Sequence, residues 1–151
     1  MKFDSFVKYA GSDGTILEAE NGDKWLCYDS IAMKIPEGRS VCGKSYSMPI
    51  YIEQLIYIYE DYDAAELTDA FVPTPHSKPS ELMRKFSGGD LEIDITNKAF
   101  GVIEKKDFTY INEVDNVDDN GDTTRYKGLL VSNDYGDDKE FKMIYLVKED
   151  K

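Results

Sequence analysis

Gly38-Arg39-Ser40-Val41-Cys42-Gly43-Lys44-Ser45 matches G-x-x-x-x-G-K-[ST], the pattern of a phosphate-binding loop. In such a loop the glycines let backbone N–H groups wrap the phosphates. The lysine then reaches the β- and γ-phosphates, and the hydroxyl holds Mg²⁺. Gly43, Lys44 and Ser45 are therefore the candidate cofactor-binding residues, and they would belong to a small nucleotide-binding enzyme. That chemistry needs a strand entering the loop and a helix leaving it. Ile31–Ile35 could be the strand. Pro49, however, falls in the second turn of a helix starting near Gly43, where it removes a hydrogen bond and clashes. Leu91–Asp94 is a weak stand-in for the strand that ends in a metal-holding carboxylate. The flanking chain reads as antiparallel β, whereas this fold is built from parallel βαβ units. A Gly- and Ser-containing loop between two strands is the preferred reading, and no cofactor is expected.

Asn116-Val117-Asp118-Asp119-Asn120-Gly121 places side-chain oxygens at alternate positions, as a calcium loop does. Such a loop wants Asp first and a bidentate Glu twelfth. Asn116 and Lys127 stand there instead, so a solvated hairpin loop is expected. His76 is the lone histidine, in a proline-rich loop, and has no partner at metal-ligand spacing. Nothing in the sequence places a serine and an aspartate beside it. Glu92 and Asp94 read as the wet face of a strand rather than as a glycosidase pair. No catalytic residue and no metal ligand is assigned.

The remaining signal is collective. Thirty Asp and Glu against 18 Lys and Arg give a net charge of −12. Such a balance disfavours direct contact with nucleic acid or an anionic membrane. Solubility alone is the plainest account of it, but the carboxylates also cluster. The candidate partner-binding residues are Glu60, Asp61 and Asp63, then Glu113, Asp115, Asp118, Asp119 and Asp122, then Asp134, Asp137 and Asp138. On one face they would present charge as a duplex presents phosphates, and would compete for a Lys/Arg groove.

The elements that must position these residues follow from the apolar pattern. Pro49–Asp63 is the most apolar and aromatic stretch. Ile52, Leu55, Ile56 and Tyr59 fit a helix face, with Ser47 as cap and Pro49 in the first turn. Its β-branched and aromatic content tips the reading slightly to a strand. Residues 1–35 read as a β meander with Asn21-Gly22 as a hairpin turn, across which Ile16 and Trp25 could pack. Trp25 is expected in the core. Residues 72–79 are a proline-rich connection, followed by a short helix ending near Phe86. From Leu91 the chain returns to strands: Leu91–Ile95, then Phe100–Ile103 after a turn at Thr96-Asn97, Phe108–Val114, Lys127–Ser132 and Glu140–Val147, with Phe141–Val147 an expected exposed edge.

With 151 residues, one domain spanning 1–151 is expected. Its fold class is α+β, mostly antiparallel β (sandwich, barrel or curled sheet), with one or two short helices. Cys27 and Cys42 are expected to be reduced and buried rather than bridged, since no export signal or membrane-length apolar run is visible. Localisation is then cytoplasmic, or the intracellular phase of a virus-like system. The leading function is a non-catalytic acidic interaction protein that binds a basic partner surface as an inhibitor or adaptor, with nucleic-acid mimicry as one form. The alternatives are a structural subunit of a virion or other multimeric assembly, and the nucleotide-binding enzyme using residues 38–45.

Overall fold

A computed structural model of the chain describes residues 1–58, 63–72, 83–134 and 139–150. It begins with a helix, α1 (Phe3–Ala10), where the meander was expected. Phe3, Phe6, Val7 and Ala10 recur at i, i+3, i+4 and i+7, so one face is apolar, and Phe6 and Ala10 are buried. The meander starts after it, with β1 (Thr15–Glu18), β2 (Lys24–Tyr28) and β3 (Ile31–Lys34) in antiparallel order. Asn21-Gly22 does turn β1 into β2, and Gly22 has φ +92°. The register sets Leu17, not Ile16, opposite Trp25.

Strand β4 (Lys44–Ser47) pairs in parallel with β1. The central stretch then forms a helix rather than the strand favoured by its composition. This is α2 (Ile50–Glu53), which continues as a π-helical turn over Gln54–Ile58. Pro49, not Ser47, sits at the N-cap, and its carbonyl accepts from the N–H groups of Ile52 and Glu53. Helical spacing wins because it puts Ile52, Leu55 and Ile56 on the buried side together with Met48.

After β5 (Asp63–Ala64) and β6 (Glu66–Val72), Met83–Gly88 is strand β7, not the end of a helix. It pairs with β6 on one side and β8 (Leu91–Thr96) on the other. Where a turn at Thr96-Asn97 and a strand over Phe100–Ile103 were expected, helix α3 (Asn97–Val102) follows, because the Thr96 hydroxyl caps it by accepting from Ala99 N–H at 3.2 Å. The chain ends in β9 (Phe108–Val117), β10 (Thr123–Ser132) and β11 (Met143–Asp150).

The large sheet has the order β4-β1-β2-β3-β11-β10-β9-β5, and the small one β6-β7-β8. All pairs are antiparallel except β1 with β4. The fold is thus α+β and mostly antiparallel, with short helices. One face of the large sheet packs on α1, α3 and the small sheet through Phe6, Phe86, Ile95, Ile111, Leu129 and Met143. The other packs on α2 and its π-helical extension through Trp25, Leu55, Leu130 and Ile144. Covering both faces explains why β10 reads GLLVS without alternation: its last five residues are all buried. Strand β11 lies inside the sheet between β3 and β10, so it is not an edge. The described edges of the large sheet are β4 and the two-residue β5.

Candidate functional site

The loop carrying the phosphate-loop pattern runs into a strand. Lys44 and Ser45 begin β4, whose four residues are all exposed. The first helix after Gly43 starts at Ile50, beyond Pro49. No helix N-terminus therefore stands at Gly43, where the pattern would need it to hold phosphate. Gly43 serves packing instead: an added Cβ would lie 3.0 Å from the Gly14 carbonyl oxygen, at the start of β1.

At the other end of β4 the chain builds an acidic cleft of about 490 Å³ lined by Glu18, Glu20, Ser45, Tyr46, Ser47 and Glu53. Register places Ser47 beside Glu18, and Met48 N–H donates to the Glu18 carbonyl at 2.9 Å. Glu53 comes from α2 and is only 7% exposed. Its Oε1 accepts from the backbone N–H of Glu20 at 2.8 Å, which ties the helix start to the end of β1. Behind the cleft, Tyr57 fixes the π-helical turn to the sheet. Its hydroxyl accepts from Trp25 Nε1 at 2.9 Å and donates to Asp23 Oδ2 at 2.8 Å. Burial raises the pKa of the Tyr57 hydroxyl above its ordinary value, and the bond to Asp23 adds to the rise. Trp25 is fully buried, a core residue as expected.

The acidic residues singled out by clustering fall in different places. Glu113 and Asp115 lie on β9 against Arg125: Arg125 Nε meets Asp115 at 3.0 Å and its Nη1 meets Glu113 at 3.7 Å. Lys127 adds a 3.0 Å pair with Glu149 on β11. This stretch is a mixed-sign patch, not a bare acidic one. Asp118, Asp119 and Asp122 form the β9–β10 turn. Asp118 Oδ1 accepts from the N–H groups of Asn120 and Asp122, each at 2.9 Å, so this oxygen holds the turn. Asn116 and Val117, read as part of a calcium loop, belong to β9. Among the described residues no group of three His, Cys, Asp or Glu could hold a metal. Asp134 follows the opposite end of β10, about 30 Å from that turn at the usual rise per residue. Asp63 is exposed on β5. Glu60, Asp61, Asp137, Asp138 and His76 lie outside the described residues.

The structure thus brings Glu113, Asp115, Asp118, Asp119 and Asp122 toward one end of the sheet and leaves Asp134 at the other. The cleft was missed because Glu53 joins Glu18 and Glu20 only through tertiary contact. The one local hint was the break that Glu53 and Gln54 make in an apolar run. Cys27 and Cys42 are both free, but the expected burial fails: Cys27 is half-buried and Cys42, in the loop before β4, is exposed. Among the described residues no helix is long and apolar enough to cross a membrane.

The chain matches no family model, no curated protein and no solved structure.

Proposed function

We propose that the chain is a non-catalytic acidic interaction protein, an inhibitor or adaptor, that engages a basic partner along β4. An extended Lys- or Arg-rich segment adds to the open edge, and its cations enter the cleft of Glu18, Glu20 and Glu53. The observation that carries this reading is the coincidence of an exposed edge strand with a carboxylate-lined cleft at its end. Strand addition supplies main-chain hydrogen bonds, and the cleft supplies side-chain selection. Tyr46, 53% exposed on the same strand, offers an aromatic contact for an aliphatic stem or a cation. Duplex mimicry draws less support, because the described carboxylates do not share one surface.

Titration of the whole chain with a fluorescent oligolysine peptide tests this. Affinity is expected to fall about tenfold or more between about 0.05 M and about 0.5 M NaCl, because exposed charge pairs are screened over that range. Affinity independent of salt, or no binding at low salt, contradicts it. The second reading, a subunit of an assembly, rests on the same open edge, which can pair with a second copy. Self-association of the free chain in sizing supports that reading instead.

A further inference from the structure

On the α2 side of the large sheet, Thr15, Cys27, Ala32 and Ile144 are direct cross-strand neighbours on β1, β2, β3 and β11. Three of the four side chains are small, so the sheet surface dips there. Ile52 of α2 walls one side, and a cavity of about 340 Å³ remains. This lies within the roughly 300–1,000 Å³ range of small-ligand sites, which are mostly apolar with a few polar groups. Leu17 and Leu146 extend the apolar lining.

The mouth has one sign of charge. Asp13 and Asp29 line it, both are exposed, and none of the described lining residues is Lys or Arg. Asp29 and Ser30 have φ +51° and +66°, which makes the tight turn between β2 and β3 and sets the carboxylate at the opening. The Tyr9 hydroxyl donates to Asp29 Oδ2 and fixes its orientation.

We propose that this cavity binds a small aliphatic amine in its protonated form. The alkyl body lies on the floor of Cys27, Ala32 and Ile144, and the ammonium group sits at the mouth between Asp13 and Asp29. Apolar burial supplies affinity, and the two carboxylates select the cation over a neutral or anionic analogue. The site needs no protein partner, so it stands or falls apart from the β4 edge.

Methyl NMR of the whole chain decides it, with hexylamine, hexanol and hexanoate titrated separately at neutral pH. Hexylamine is expected to shift the methyl signals of Leu17, Ile52, Ile144 and Leu146 saturably. Hexanol binds more weakly and hexanoate does not bind. The double variant Asp13→Asn/Asp29→Asn is expected to weaken hexylamine about three- to tenfold, the range for two exposed charge contacts, while the distant Leu129 methyls stay unchanged. The single variant Asp13→Asn, which leaves the Tyr9–Asp29 bond intact, is expected to show part of that loss. Hexylamine and hexanoate binding alike, shifts absent from those four residues, or Asn variants that leave hexylamine affinity unchanged would each overturn the proposal.

Discussion

Gly88→Ala is expected to destabilise the fold by about 3 kcal/mol or more, read as a lower midpoint in urea unfolding. Gly88 ends β7 where the small sheet crosses the large one. A Cβ there would collide with the carbonyl oxygen of Ala64 and come within 2.8 Å of Ile111 Cγ2. The first is backbone and the second belongs to a fully buried side chain, so neither yields without parting the two sheets. The matched control is Gly101→Ala in α3, where an added Cβ meets nothing within 4 Å. There alanine is expected to stabilise by about 0.5–1 kcal/mol through helix propensity. Equal effects at the two glycines would contradict the packing of β7 on Ala64 and Ile111.

Alkaline pH is expected to weaken the fold through Cys27. Burial pushes its thiol from 9.0 up to about 12. The folded pKa is raised, so the neutral thiol's contribution is complete below pH 9 and declines as pH rises from there toward 12. At pH 10.5 the loss from this group amounts to about 2 kcal/mol, at about 1.4 kcal/mol per pH unit. Cys27→Ala should remove that part of the decline. Tyr9 and Tyr51, also pushed up to about 12 chiefly by burial, add their own loss only above pH 10. Identical stability–pH curves for wild type and Cys27→Ala between pH 9 and 10 would show that the surroundings of this half-buried thiol do not hold its pKa up.

Where local chemistry decided structure, the sequence was readable. Asn21-Gly22 marked its hairpin because the turn demands positive φ. Leu91–Ile95 alternates because one face of β8 packs on the core. Long-range pairing hid the rest. Met83–Phe86 has good helix formers, yet partners on both sides make it a strand. Phe3–Ala10 carries aromatic residues that suit a strand, yet its apolar residues recur at helical spacing and the fold follows the spacing. The phosphate-loop pattern is legible as a string, but a strand and not a helix follows Gly43. The acidic cleft was hidden for a geometric reason: Glu18, Glu20 and Glu53 converge only once α2 folds back over β1.

The β4 edge as a docking site for a basic segment is tested most directly by comparing two neutralised variants against the same oligolysine peptide at low salt. Glu18→Gln/Glu20→Gln removes two exposed carboxylates of the cleft and leaves the backbone N–H that holds Glu53 in place. Asp119→Asn/Asp122→Asn removes the same number at the β9–β10 turn. The first is expected to lose about tenfold in affinity and the second less than about twofold. Equal losses would mean that the peptide senses only net charge, and a larger loss in the second would move the docking site to the turn.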